Sequence, residues 1–360
     1  MIFHFKKLDW ILIASALLLV GIGLLSIYSS SLARADFLNF QKQIIFLVVG
    51  LFLMLALSFL DWRILKNDSY LILIFYFFCL LALIGLFFFA PEIRGVRAWY
   101  RLGPLSIDPI EPTKLILIIL LAKFFSMRHI EMYKIGHILL SGFYVFLPAF
   151  LIFQQPDMGS VLILSFLWLG ILIVSGIKLR HFLILVFCAA LILIFGWNLI
   201  LEDYQKARLV SFFQPHIEPL GIGWSQRQAQ IAIGSGGIFG QGIGQGSQTQ
   251  FRFLPEPQTD FIFAAIAEET GLIGIFLLFF LFSLLIWRII KIAVQSETNF
   301  SRLFALGLAT VLVSQIFIHI GTNLGILPVI GISLPLVGYG GSGLITIFLA
   351  LGILESMRKN

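Results

Sequence analysis

The stretch from Gly234 to Gly271 reads GSGGIFGQGIGQGSQTQFRFLPEPQTDFIFAAIAEETG. It begins as a glycine-rich run, crosses a short polar segment, and places one carboxylate, Asp260, where a long apolar segment begins. Most of the remaining chain consists of apolar segments long enough for membrane helices. We therefore interpret this stretch as a polar opening, which we call the mouth, and we expect the apolar segments to hold it at a membrane surface.

The composition is typical of an integral membrane protein. Of the 360 residues, 59% are hydrophobic and 12% are charged, whereas about a quarter of a soluble domain is charged. The net charge of +6 fits positive inner loops and outer basic groups that face phosphates better than it fits nucleic acid. Cys79 and Cys188 both lie in apolar runs, which indicates neither a disulfide framework nor a cysteine metal site.

The apolar segments predict an all-α polytopic membrane protein. A spanning helix needs about 20 mostly apolar residues, and lipid leaves no partner for backbone groups outside a helix. The run from Trp10 to Tyr28 is longer than the apolar part of a signal peptide, so we predict that it is retained as the first span. The chain forms one domain over residues 1–360, with about ten spans at 9–29, 42–60, 70–89, 112–126, 135–153, 158–176, 181–200, 261–287, 302–322 and 340–356.

The distribution of lysine and arginine predicts that both termini are cytoplasmic. With that orientation, the outer loops near 154–157 and 323–339 carry no positive residue, while the inner segments carry many. Two longer outer loops remain, at about 90–111 and at 201–260, the latter between helices 7 and 8. A loop as long as 201–260 in a compact bundle is usually functional.

Two features of the 201–260 loop allow more than one interpretation. The glycine run 234–246 either cradles phosphate with its backbone N–H groups or packs closely on headgroups or helices. It is not followed by the Gly-Lys-Ser/Thr of a nucleotide-binding loop. Asp260 is either the N-cap of the following helix or an interfacial carboxylate that takes a proton or binds a cation. Both roles for Asp260 are compatible.

Further ionisable residues lie within or beside the predicted spans. Glu268 and Glu269 lie inside an apolar span, where charged groups are costly, so at least one should face protein or water. At 100° per residue, Glu268 lies on roughly the same side of the helix as Asp260, and Glu269 lies opposite. Lys114 and Asp157 are predicted partners across a cavity, most simply as a structural ion pair.

Basic residues bracket the glycine run. Lys206, Arg208, Arg227 and Arg252 all belong to the same predicted outer loop. Arginine matches phosphate oxygens bidentately, but contact with anionic lipid headgroups explains the same charges. The histidines show no metal-ligand spacing, and no Ser/His/Asp or Cys/His set is indicated.

Several motifs resemble those of the SEDS family of bacterial shape, elongation, division and sporulation proteins, which includes RodA and FtsW. The resemblance covers nearly the whole chain, and LPE followed by TDFIF and AEE is its most specific part. The chain departs from the family pattern at Gly338, Ile110 and His319, whereas Gly246-Ser247-Gln248 and the short N-terminal segment are most similar to RodA. The matching segments are 97–114, 155–160, 208–237, 254–256, 259–263, 267–271 and 327–342.

The resemblance implies a peptidoglycan glycosyltransferase that polymerises lipid II on the outer face of the bacterial cytoplasmic membrane. Asp260 falls on the family's essential aspartate, as a general base or as a ligand of a divalent cation such as Mg²⁺ or Mn²⁺. The implied partners are a class B penicillin-binding protein, other elongation-complex proteins and membrane lipids, and no nucleic acid. Substrate or pyrophosphate binding is expected at Arg208, Arg227, Arg252, Glu256 and Thr259, and a polar cavity at Glu111, Lys114, Asp157, Glu268 and Glu269.

Two other functions remain open at this stage. A lipid II flippase would also need a large helical bundle with intramembrane charges, although we expect its key polar groups near mid-bilayer. A non-catalytic scaffold of the elongation machinery would tolerate substitution of Asp260.

Overall fold

The computed structural model describes residues 8–91, 98–103, 105–128, 135–199, 206, 212 and 222–359. The first half of the chain forms the helices α1 (Trp10–Arg34), α2 (Leu38–Phe59), α3 (Arg63–Asn67) and α4 (Ser69–Phe89), the strands β1 (Tyr100–Leu102) and β2 (Leu105–Ile107), and the helices α5 (Ile110–Arg128), α6 (Ile135–Phe153), α7 (Met158–Val174) and α8 (Leu179–Leu199). The second half forms α9 (Ile222–Ser235), α10 (Ser247–Gln250), α11 (Ile262–Gln295), α12 (Asn299–Asn323) and α13 (Gly341–Lys359).

The predicted all-α polytopic architecture is confirmed. Each of the ten predicted spans coincides with one long helix, namely α1, α2, α4 to α8 and α11 to α13. Within the described ranges, seven helices are long and apolar enough to cross a membrane. Three of the ten long helices fall outside this set. The helix α7 and the described part of α8 are shorter, and α5 carries Glu111, Lys114 and Lys123.

Short polar side chains begin several helices. Asp68 accepts hydrogen bonds from the N–H groups of Tyr70 and Leu71 at 3.0 and 3.2 Å. Thr298 accepts from Ser301 N–H at 3.2 Å at the start of α12. Such caps satisfy N–H groups that have no partner within the helix. They explain why successive apolar helices separate where they do.

The α12 helix lies at the centre of the bundle. It contacts α5, α7, α9, α11 and α13, and most of its length is buried. The α2 helix packs extensively on α13, and α1 packs on α11. This arrangement brings the ends of α11 and α12 next to the loop between α12 and α13, residues 324–340, which we call the α12–α13 loop.

A small β-hairpin interrupts the first of the two long loops. Tyr100 pairs with Ile107, and Leu102 pairs with Leu105, in antiparallel register. Gly103 adopts φ +62° at the turn, a conformation that glycine reaches without steric cost. Tyr100 also donates its hydroxyl to the carbonyl of Ala82 in α4 at 2.6 Å. The hairpin is therefore tied to the bundle.

Both ends of the described chain meet at one end of the bundle. The N–H of Asp9 donates to the carboxylate of Glu355 at 3.1 Å, and the Asp9 carboxylate accepts from Nε of Arg288 at 2.8 Å. The Asp9 side chain is 1% exposed and that of Arg288 is 11% exposed. The two ends of the described chain therefore lie on the same side of the bundle.

Replacing Asp9 with alanine should lower stability markedly. The substitution leaves the guanidinium of Arg288 buried without its carboxylate and removes the cap on Leu12 N–H. Breaking a buried pair costs about 3–5 kcal/mol. The thermal midpoint of the purified protein measures the effect. The control is Asp61→Ala, which breaks the half-exposed Asp61–Arg63 pair. An exposed pair of this kind contributes about 1 kcal/mol or less. Equal thermal midpoints for the two variants would contradict the prediction.

Candidate functional site

The α11 helix is broken at Gly271. This residue has φ 64° and ψ −161°, outside the helical region. A Cβ on Gly271 would lie 2.3 Å from the backbone nitrogen of Gly240 and 2.6 Å from the carbonyl of Ile238. Only glycine fits there, because both the positive φ and the close backbone approach exclude a side chain. The part of α11 before the break is buried almost completely.

The glycine run fills the break in α11. The N–H of Gln241 donates to the carbonyl of Glu268 at 2.9 Å, and the N–H of Gly242 donates to the carbonyl of Glu269 at 3.0 Å. Beyond the break, Leu272 N–H donates to a carbonyl of the same run at 2.9 Å. The run thus bonds the backbone groups that the break exposes, as burial inside a membrane protein requires.

These contacts decide between the two interpretations of the glycine run. A Cβ on Gly236 would lie 2.0 Å from the carbonyl of Ala267, and one on Gly240 would lie 2.1 Å from that of Glu269. The N–H groups of Gly240, Gln241 and Gly242 are already bonded to protein carbonyls. The run is therefore a loop packed on a helix, and these N–H groups are not directed at a phosphate.

Glu268 holds the segment that follows the glycine run. Its carboxylate accepts from the N–H groups of Gln248 and Thr249 at 2.6 and 3.1 Å and from the Thr249 hydroxyl at 2.7 Å. Ser247 adds a longer hydroxyl contact at 3.3 Å. Glu268 is fully buried and caps the short helix α10. The carboxylate stabilises that helix start through both its charge and its hydrogen bonds.

Glu269 holds the same loop from the other side. Its carboxylate accepts from the Ser29 hydroxyl of α1 and from Gly244 N–H at 3.3 Å. Gln250 donates to the Ser29 carbonyl at 3.1 Å. Both glutamates face protein, which agrees with the expectation that at least one would face protein or water.

Asp260 lies just before α11, and it does not occupy the N-cap position. That position is Phe261, which provides no side-chain cap. Instead, the amide oxygen of Asn323 in α12 accepts from Ala264 N–H at 3.2 Å, and its amide nitrogen donates to the Asp260 carbonyl at 3.0 Å. The helix start is thus capped by another helix, so the N-cap interpretation of Asp260 is wrong.

The Asp260 side chain is partly exposed and faces the α12–α13 loop. A Cβ on Gly331 would lie 4.0 Å from Oδ2 of Asp260, so glycine leaves open space beside the carboxylate. The neighbouring backbone is firmly held, because Tyr339 N–H donates to the Gln258 carbonyl at 2.8 Å. The Gln258 side chain accepts from Asn39 at 2.7 Å. Asp260 is therefore a carboxylate on a rigid support.

Glu256 and Thr259 belong to the tight turn that leads to Asp260. The Glu256 carbonyl accepts from the N–H groups of Thr259 and Phe261, both at 3.2 Å. Glu256 has φ 42°, a strained conformation for a residue with a side chain. Both residues are partly exposed, so their side chains border the same mouth.

Two of the three predicted arginines lie within the described residues, in different places. Arg252 is exposed, and its guanidinium donates to the Ala33 carbonyl at the end of α1 at 2.7 Å. Arg227 is partly exposed on α9, next to Gln226, which donates to the Leu327 carbonyl of the α12–α13 loop at 2.9 Å. Arg208 lies outside the described residues.

A second polar cluster surrounds the start of α5. Lys114 forms an ion pair with Glu111 at 2.7 Å, and its side chain is 5% exposed. The predicted Lys114–Asp157 ion pair is wrong, because Lys114 reaches a carboxylate one turn away on its own helix. Asp157 instead caps α7, accepting from Ser160 N–H at 3.0 Å and from the Ser160 hydroxyl at 2.6 Å.

Asp108 belongs to this cluster and was missed by the sequence analysis. Its N–H donates to the Ser342 hydroxyl at 2.9 Å. Burial, followed by the charge of Glu111 and that of Asp157, raises the pKa of Asp108 from 3.8 to about 8. The sequence contained one signal that could have found it, because Asp108 is a second carboxylate three residues before Glu111 and immediately before a proline.

Asp108→Asn should stabilise the protein in a pH-dependent way. Between pH 3.8 and about 8 the folded state keeps a proton that the unfolded state releases, so stability falls as pH rises across this window. Thermal midpoints of wild type and variant should coincide near pH 4 and then diverge, with the variant a few degrees higher by pH 8. A difference in thermal midpoint between wild type and Asp108→Asn that does not change with pH, as expected for the exposed Asp36→Asn, would contradict the raised pKa of Asp108.

The α12–α13 loop separates the two polar sites. A Cβ on Gly159 in α7 would lie 2.7 Å from Ile332 and 3.0 Å from Ile330. Gly331, between those two isoleucines, faces Asp260 instead. Three consecutive residues of this loop thus lie against α7 on one side and near Asp260 on the other.

The described residues contain no group of three or more His, Cys, Asp or Glu side chains arranged to hold a metal ion. Asp260 alone would supply one carboxylate. A site with a single protein carboxylate suits only an ion that takes its other ligands from water and substrate phosphates, as Mg²⁺ commonly does.

Comparison with known proteins gives consistent matches over nearly the entire chain. The FtsW/RodA/SpoVE family model, described as a cell cycle protein, matches residues 9–360. The stage V sporulation protein E of Bacillus subtilis is 36% identical over 98% of this chain and 97% of its own length. The peptidoglycan glycosyltransferase MrdB of Escherichia coli is 34% identical over 99% of this chain and 96% of its own.

The fold agrees with that of a solved relative. One chain of a peptidoglycan synthase complex, described as coordinating polymerization and crosslinking, superposes with a TM-score of 0.82 at 31% identity. The superposition covers 98% of each chain.

Proposed function

This chain belongs to the FtsW/RodA/SpoVE family of cell cycle proteins, and we propose that it is the peptidoglycan glycosyltransferase that polymerises lipid II for elongation of a rod-shaped cell. The observation that carries the proposal is the position of Asp260. Its carboxylate is partly exposed at the mouth of the bundle, while its backbone is held by α12. Glycosyltransferase activity agrees with the names of the relatives.

Asp260 acts as the general base in the proposed reaction. The acceptor sugar hydroxyl loses its proton to the carboxylate as its oxygen attacks the anomeric carbon of the donor. The bond from that carbon to the lipid pyrophosphate breaks, and the pyrophosphate leaves with the electron pair. A rigid support for Asp260 suits this role, because proximity catalysis depends on a fixed distance between reacting groups.

Negative charge develops on the pyrophosphate as it leaves. Arg227, Arg252 and Arg208 are the residues that we assign to hold it, since arginine binds phosphate oxygens bidentately. A divalent cation at Asp260, Mg²⁺ or Mn²⁺, would neutralise the same charge when bound. Glu256 and Thr259 border the mouth and would contact substrate sugars.

The second polar cluster shapes the substrate cavity in this proposal. The buried Lys114 forms an ion pair with the partly exposed Glu111, which lies beside Gly343 near the start of α13, and Asp157 caps α7. These groups keep a polar space open next to the Asp260 site. Glu268 and Glu269 support the loop above it rather than contacting substrate.

The cellular setting is part of the proposal. The multi-pass bundle lies in the bacterial cytoplasmic membrane, with both termini in the cytoplasm and Asp260 on the outer side. A class B penicillin-binding protein crosslinks the product, together with other elongation-complex proteins. The solved complex of a relative couples polymerization with crosslinking. The rod-elongation role rests on Gly246-Ser247-Gln248, which resembles RodA.

Reconstitution with labelled lipid II tests the proposed function. Wild-type protein in vesicles, with and without its cognate class B penicillin-binding protein, should convert lipid II into long glycan strands, resolved by size. Chelation with EDTA, followed by addition of Mg²⁺ or Mn²⁺, tests the cation. Lipid II that crosses the bilayer without forming strands would identify a flippase. Absence of both activities, with retained partner binding, would identify a scaffold.

A further inference from the structure

We infer that Asn323 is a positioning residue that fixes the orientation of Asp260. This inference rests on the proposed function, because it assigns Asn323 a role through the catalytic carboxylate. Asn323 is the last residue of α12 and is completely buried. It is 63 positions from Asp260 in the sequence, so only the packing of α12 against α11 brings the two together.

The Asn323 amide bonds to the Asp260 segment with both of its ends. The amide nitrogen donates to the Asp260 carbonyl at 3.0 Å, and the amide oxygen accepts from Ala264 N–H at 3.2 Å. The nitrogen also donates to the His319 carbonyl at 2.8 Å, which fixes the amide relative to its own helix. These contacts use both N–H donors and the oxygen of the amide.

The contacts of Asn323 replace the usual cap of α11. Phe261 occupies the N-cap position and has no side-chain oxygen to offer. Ala264 N–H, near the start of the helix, would otherwise be buried without a partner. Asn323 therefore fixes the rotation of the first turn of α11. Because Asp260 immediately precedes that turn, the same contacts set the direction of its carboxylate.

The same turn of α12 also holds the opposite wall of the site. Nδ1 of His319 bonds to the Ile332 carbonyl of the α12–α13 loop at 2.7 Å, and Gly331 of that loop faces Asp260. One rigid turn of α12 therefore sets the distance between Asp260 and the α12–α13 loop. A displacement of about 1 Å at a catalytic group can cost about 10²-fold in rate.

Two substitutions of Asn323 separate the contacts. Asn323→Asp keeps the shape and an acceptor for Ala264 N–H, but it loses the N–H donors and faces the Asp260 carbonyl with an oxygen. Asn323→Leu removes every polar contact. The matched control is Thr322→Val, which removes a buried hydroxyl that donates to the same His319 carbonyl at 2.8 Å and leaves the amide of Asn323 in place.

The experiment uses full-length protein reconstituted with its cognate penicillin-binding protein and labelled lipid II. We expect both Asn323 variants to lose about 10²-fold in kcat with KM changed by less than about threefold. Thr322→Val should keep wild-type kinetics. Amide hydrogen exchange of the peptide containing Ala264 should become faster in Asn323→Leu, change less in Asn323→Asp, which keeps the acceptor, and remain unchanged in Thr322→Val.

Several outcomes would overturn the inference. They are near wild-type kcat in Asn323→Leu, an equal loss in Thr322→Val, or unchanged exchange at Ala264 in Asn323→Leu. Failure of the proposed function has a different signature, because wild type itself would then form no glycan. In that case faster exchange in Asn323→Leu would still support the contact with the Asp260 segment, and unchanged exchange in that variant would overturn it.

Discussion

Asp260→Asn should lower glycan polymerisation by about 10³-fold or more. The amide keeps the size of the side chain but cannot take a proton from the acceptor hydroxyl, and general-base catalysis contributes about 10²–10⁴-fold. Asn323 holds residue 260 through the backbone carbonyl, and the substitution leaves that contact in place. The loss should therefore appear in kcat, with little change in the thermal midpoint.

The control for this measurement is Asp36→Asn. Asp36 is an exposed aspartate between α1 and α2, and its carboxylate accepts from the nearby Leu38 N–H at 2.9 Å. We expect wild-type polymerisation from this variant. Long glycan strands from Asp260→Asn at a rate close to that of wild type would reject the general-base role.

Glu268→Ala should cause a large loss of stability. It leaves the N–H groups of Gln248 and Thr249 without an acceptor in a buried place and removes a fully buried side chain. Removing one partner of a buried charge-assisted network costs about 3–5 kcal/mol. We expect a strongly lowered thermal midpoint and loss of polymerisation, because α10 leads directly into the Asp260 turn.

Two variants make this result interpretable. Glu268→Gln keeps one acceptor oxygen and should be intermediate in thermal midpoint. Glu297→Ala removes an exposed glutamate from the loop after α11 and should have no measurable effect. If Glu268→Ala unfolds at the wild-type midpoint yet loses activity, then Glu268 contacts substrate and the supporting role described above is wrong.

The helical bundle was predictable because it depends on local properties of the chain. A membrane sets the length of a spanning helix, so an apolar run of sufficient length predicts a helix without knowledge of its neighbours. The ten predicted segments accordingly match ten long helices. The β-hairpin at 100–107 was not predicted, since each strand has three residues and too short a pattern to detect.

The polar sites were predictable only in part. The motif around Asp260, Glu268 and Glu269 located the important stretch, and at least one of the two glutamates within an apolar span was expected to face protein or water. Their partners were not predictable, because they come from Ser29 on α1 and from the segment of α10. The predicted Lys114–Asp157 pair failed for the same reason, since its geometry depends on how helices pack.

The sequence by itself determined the number and position of the membrane helices and the residue types at the mouth, because hydrophobicity and chain chemistry are local. Only the tertiary structure decided three other features. The glycine run fills the break at Gly271, Asn323 caps the helix that Asp260 precedes, and Asp108 joins the charged cluster at the start of α5. Each depends on contacts between segments that are distant in the chain, and such contacts form only when the helices pack.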